Sequence, residues 1–142
     1  MTTVIDVEDL ILGRFSSKIA GRLLDGEQIT IVNAEKAIVT GGKEDTLQKY
    51  EDRWNKKMLV NPRKGPFYPR GVNKIVRRTI RGMLPWKKDK GKKAFKRLKV
   101  YSEVPEKFEG HDKEKIDGAH ASNLSTLKYM TVGEISRYLG GK

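Results

Sequence analysis

TVIDVEDLILGRFSSKIAGRLLDGEQITIV, residues 3–32, sets two β-branched runs on either side of a helical pattern. Thr3-Val4-Ile5-Asp6-Val7 suits a short buried strand, and Gln28-Ile29-Thr30-Ile31-Val32 suits a second. Between them Phe15, Ile19, Ala20, Leu23 and Leu24 fall at helical spacing, with Arg14, Lys18 and Arg22 beside them, and Gly26 supplies a stop. Strand, helix and strand in about thirty residues make a βαβ unit, which implies a parallel pair joined by a right-handed crossover. The class that follows is α/β.

Working outward, Ala37-Ile38-Val39-Thr40 reads as a third strand, and Leu47, Tyr50 and Trp54 share one face of a helix from 43 to 54. The link Asn33-Ala34-Glu35-Lys36 is too short for an ordinary parallel crossover, so the residues alone leave the third strand's place open. Residues 55–71 carry three prolines, two glycines and no periodicity, the mark of a long loop that is functional or disordered. Its Phe67 and Tyr68 are expected to anchor the loop rather than stack on bases. From Val72 to Leu84 a clean helix is predicted, with Val72, Ile75, Val76, Thr79, Ile80, Met83 and Leu84 inward. Lys74, Arg77, Arg78 and Arg81 take the opposite face, and Pro85 ends the helix.

In the basic segment beyond it, Ala94, Phe95 and Leu98 look inward, and the lysines of 87–99 read as mobile point charges. Leu98-Lys99-Val100-Tyr101 is a fourth strand, and residues 103–130 read as acidic and irregular. Thr131-Val132-Gly133-Glu134 forms a capping box, with Met130 and Ile135 as its hydrophobic staple. Val132, Ile135 and Leu139 then dock a closing helix that Gly140-Gly141 terminates. No internal repeat is present, and 1–142 reads as a single domain, long enough to bury one core.

Charge is unevenly placed. From Arg53 to Lys99 there are 18 Lys and Arg against the single acid Asp89, whereas the rest of the chain has a net charge of −5. A solubilising surface interleaves both signs, so a basic middle between acidic flanks points to a polyanion, nucleic acid before membrane. The lack of cysteine excludes a disulfide framework and a thiolate metal site. No signal peptide or membrane span is expected, since no apolar run approaches about 18 residues.

A parallel α/β chain raises the possibility of a nucleotide-binding enzyme, but the phosphate-cradling motifs are missing. Thr40-Gly41-Gly42-Lys43-Glu44 lacks both the spacing and the hydroxyl of a phosphate loop, and Gly13 and Gly21 do not make a dinucleotide fingerprint. His111 and His120 match no familiar ligand spacing and read as solvated loop residues. Asp6, Glu8 and Asp9 follow the first strand and are expected to cap the next helix or face solvent. The expectation is a chain that is not an enzyme, with no catalytic residue, metal or cofactor. It has no zinc finger or basic zipper pattern, so structured RNA read by shape is the better match than DNA. An RNA or DNA chaperone is the other binding alternative.

Several blocks also fit a known pattern: Val4-Ile5-Asp6 with Leu12-Gly13-Arg14, Val32 to Lys36 running on to Val39-Thr40-Gly41, Arg78 to Pro85, Gly91, and Leu98 to Tyr101. With Val132 to Ile135 they make the chain resemble the ribosomal protein L13 family in its archaeal and eukaryotic form. Trp86, where that family is expected to have His, and Glu103, where it often has Gly, are departures. The resemblance implies a three-layer α/β/α fold with a four-stranded parallel sheet in which the third strand is a parallel partner. It also implies a cytoplasmic structural and assembly role in the large subunit, bound to large-subunit rRNA beside neighbouring ribosomal proteins, with no membrane or small-molecule substrate. Carried onto this chain, the rRNA-binding residues are expected at Lys56, Lys57, Arg63, Lys64 and Arg70 in the loop and at Lys74, Arg77, Arg78 and Arg81 on the helix. Lys87, Lys88, Lys92, Lys93, Lys96 and Arg97 complete the set.

Overall fold

The two β-branched runs and the helix between them form as the sequence predicts. In the computed structural model, which describes residues 2–141, β1 (Thr2–Asp6), α1 (Leu12–Leu24) and β2 (Gln28–Val32) make the parallel unit, with Ile5 opposite Ile31. Gly26 takes φ +101° and donates its N–H to the Leu23 carbonyl at 3.1 Å, a left-handed stop that suits glycine. β4 (Leu98–Val100) lies parallel on the other side of β2. Ile5, Val7, Ile29, Ile31, Leu98 and Val100 cluster in the core with Phe15, Ile19 and Leu23 of α1. Strand alternation sends Val4, Thr30 and Val32 the other way, and these too are buried.

The chain continues through β3 (Ile38–Thr40), α2 (Lys43–Asn55), α3 (Val72–Gly82) and α4 (Asp89–Lys96) to β4. It then passes through β5 (Lys113–Glu114) and β6 (Tyr129–Thr131) and closes with α5 (Val132–Tyr138). The four-stranded sheet has the order β4-β2-β1-β5 with every neighbour parallel, and the architecture is the three-layer α/β type.

One strand is not where the resemblance placed it. β3 is no member of the parallel sheet; it pairs antiparallel with β6, Val39 opposite Met130. The four-residue link explains this. Asn33 takes φ +57° and residues 34–36 make a tight turn, so the chain leaves the sheet before it could cross over. The fourth parallel position goes instead to β5, which adds to the free edge of β1 from a segment expected to be irregular.

Two further expectations are corrected. The lysines expected to be mobile point charges are largely carried on ordered backbone, because residues 89–96 form α4 with Gly91 and Ala94 buried. A Cβ on Gly91 would run into the Pro85 carbonyl, so only glycine allows this approach. α3 ends at Gly82, one residue before Met83, which is left 42 % exposed while Leu84 stays buried. At the other end of the chain the capping box forms on its Thr131 side, whose hydroxyl accepts the Glu134 N–H at 3.2 Å.

Candidate nucleic-acid interface

The basic surface is built on α3. Val72, Ile75, Val76 and Ile80 are buried along one side, which fixes the rotation of the helix and turns Lys74 to solvent. Arg77, Arg78 and Arg81 are only half-exposed, because each guanidinium lies over an aromatic ring. Arg77 sits 4.6 Å from the Phe95 centroid, Arg78 5.3 Å from Tyr68 and Arg81 5.1 Å from Trp86. Trp86 in turn meets Phe95 edge-on at 5.2 Å. Burial, and then the neighbouring Arg78 cation, pull the Arg81 guanidinium below its ordinary value.

Lys87 and Lys88 are exposed on the turn into α4, and Lys92, Lys93 and Lys96 are exposed along that helix. Arg97 is placed differently. Its Nη2 donates to the Leu23 carbonyl at 2.6 Å, at the C-terminal end of α1, where a cation complements the helix dipole. Lys56, Lys57, Arg63, Lys64 and Arg70 are all exposed on the loop. A short turn at Pro62–Lys64 orders part of that loop, capped by Asn61. Arg70 lies 4.2 Å above Trp54, and its carbonyl accepts from the Ser136 hydroxyl at 2.7 Å. Lys90 and Lys99 are exposed as well and carry charges that the sequence-based set omits.

The loop aromatics divide. Tyr68 is half-buried and receives Arg78, so it anchors as expected, but Phe67 is 66 % exposed and does not. Arg78 Nη1 donates to the Phe67 carbonyl at 3.1 Å, so the loop is held by its backbone while the ring projects. Trp86 was read from sequence only as a departure from a family pattern. The ring contacts that make it part of this surface are tertiary and leave no local signal.

Charge balance separates this surface from the rest. Among the described residues the ion pairs are Arg22 with Glu27 and Glu114, and Lys36 with Glu8. None of them involves a cation of residues 53–99. The other candidates fall away on geometry. Asp6 Oδ1 accepts from the Glu8 N–H at 2.9 Å and from Asn33 Nδ2 at 3.1 Å, tying together the ends of β1 and β2 rather than capping α1. His120 accepts the Ser122 N–H at 3.1 Å and caps a turn. Among the described residues no group of three His, Cys, Asp or Glu could hold a metal ion, and no helix is long and apolar enough to cross a membrane.

Residues 1–107 match the family model for ribosomal protein L13. The chain belongs to the ribosomal protein L13 family. Large ribosomal subunit protein uL13 of Archaeoglobus fulgidus is 49 % identical over 139 residues, covering 97 % of this chain and 87 % of the relative. The uL13 of Methanocaldococcus jannaschii is 47 % identical over 141 residues, covering 99 % of this chain and 98 % of the relative. That of Haloarcula marismortui is 42 % identical over 137 residues, covering 96 % and 90 %. Membership in the L13 family answers the question that the parallel sheet raised: the chain is a structural ribosomal protein and not an enzyme.

Proposed function

We propose that this L13 chain is built into the large ribosomal subunit, in the cytoplasm, where it binds and stabilises folded large-subunit rRNA and acts in subunit assembly. The observation that carries this reading is the cationic surface of α3, α4 and the loop between α2 and α3, whose charges have no carboxylate partners among the described residues. A polyanion would balance them and release its own counterions. On this reading Lys56, Lys57, Arg63, Lys64 and Arg70 contact phosphates from the loop, and Lys74, Arg77, Arg78 and Arg81 from α3. Lys87, Lys88, Lys92, Lys93 and Lys96 contribute from the α4 region. Arg97 contributes less, because one of its N–H groups is already committed to α1. The chain acts as one domain, and neighbouring ribosomal proteins meet its less basic surfaces.

The test is binding to a large-subunit rRNA transcript as a function of salt. If about 6–10 of these cations sit on phosphate at once, affinity should fall roughly 10³–10⁵-fold between 50 and 200 mM salt. In a lysate gradient the protein should travel with large subunits. Recovery only in the top fractions, together with salt-independent binding, would contradict the reading.

A further inference from the structure

Between residues 66–69 and α3 lies a cleft of about 320 Å³ whose walls alternate rings and cations: Phe67, Tyr68, Arg77, Arg78, Arg81 and Phe95. Its three guanidinium groups rest on Phe95, Tyr68 and Trp86, which fixes them in place without using a carboxylate. Arg77 Nε is buried there and has no hydrogen-bond partner among the described residues. Phe67 stands at the rim with two thirds of its surface open, between Pro66 and Pro69, which restrict the backbone that presents it.

These features ask for more than a phosphate. A paired A-form helix offers phosphates and hydroxyls to a protein, but its base faces are stacked on one another. Such a helix would use the arginines and leave the Phe67 ring in water. A nucleotide whose base has left the stack supplies both a flat face for the ring and an anion for the guanidinium groups. We propose that this cleft receives a single unstacked RNA nucleotide, its base against Phe67 and its phosphate on Arg77, Arg78 and Arg81. The assignment rests on the rRNA-binding reading and adds to it a preference for a bulged or looped-out position.

The test compares two short RNA duplexes that differ only by one bulged fluorescent purine analogue, with the rRNA transcript as a third ligand. The intact protein should bind the bulged duplex about 5- to 150-fold more tightly, the range expected for one stacked base. The analogue's emission should change on binding. That ratio should survive added salt, whereas the affinity for both duplexes falls. Phe67→Ala should bring the ratio close to one, and Phe67→Trp should keep it. Phe67 is exposed, so neither change is expected to disturb folding, which a thermal melt checks. Equal affinity for the two duplexes, or none, beside tight transcript binding would overturn the nucleotide assignment alone. Failure to bind the transcript as well would remove the rRNA reading and this one with it. If Phe67→Ala impairs incorporation into large subunits while the duplexes bind equally, the cleft serves a protein neighbour and the nucleotide assignment is wrong.

Discussion

Arg22 ties together three pieces of chain that sequence alone cannot relate. From α1 its Nε and Nη2 donate to Glu27 at 2.7 and 2.6 Å, and Nη1 donates to Glu114 of β5 at 2.9 Å. The Thr3 hydroxyl donates to the same Glu27 carboxylate at 2.6 Å. The hydrogen bonds from Arg22, and then from Thr3, hold Glu27 below its ordinary value of 4.5. A carboxyl depressed in the folded state adds stability that is present above its unfolded pKa and is lost as the pH falls through its folded one. Acidification from about pH 6 to about pH 3 should therefore weaken the protein, and Arg22→Ala should remove part of that dependence. The groups are partly exposed, so the variant should lose only about 0.5–1 kcal/mol at the higher pH and less at the lower, read from urea midpoints. An equal loss at both values would show that the cost is packing and not charge. The sequence placed Arg22 beside the apolar stripe of α1, but Glu114 is 92 residues away and gave no sign of itself.

Elements were legible where their own side chains define a period. α1 and α3 repeat cleanly, so burial on one side follows from the pattern, while β1 and β2 are short β-branched runs buried on both faces. β5 was not legible, because Lys113 and Glu114 are polar and become a strand only through pairing with Val4 and Ile5. α4 was hidden by its lysines and by Gly91, whose inward role depends on contact with Pro85 and not on a side chain. The position of β3 shows the residue-level argument outweighing the resemblance, since link length alone disfavoured a parallel crossover. At this scale the basic face of α3 can be tested directly. Arg77→Glu with Arg81→Glu gives up two ring contacts, worth about 0.5–1 kcal/mol each at exposed sites, while Val72, Ile75, Val76 and Ile80 remain buried. The native circular dichroism spectrum should persist with a slightly lower melting temperature. The affinity for the rRNA transcript should fall at least about tenfold, and its salt slope should drop by about two. Loss of the native spectrum would mean that the two arginines are structural and not an interface.

For the whole molecule, the sequence located the charge but not the rings that organise it. A net charge of +17 between residues 53 and 99 is a property of composition, whereas the pairing of Arg77, Arg78 and Arg81 with Phe95, Tyr68 and Trp86 depends on how the loop and α4 fold back on α3. The same holds for the last third of the chain. The family match ends at residue 107, yet Ile116, Met130, Val132 and Ile135 from beyond it are all buried in the common core. At about 1.5–3 kcal/mol for each fully buried side chain, these four contribute roughly 6–12 kcal/mol. That is comparable with the whole net stability of an ordinary domain, about 5–15 kcal/mol. Removing them would also leave β1 with an open edge where β5 pairs, and β3 without β6. A chain cut after residue 107 should therefore lack a cooperative thermal melt, expose apolar surface to a dye and fail to bind the rRNA transcript, even though every proposed rRNA contact lies within it. A sharp melt near that of the full chain would show that residues 1–107 carry the fold alone, and that the segment beyond them only covers a core that is already stable.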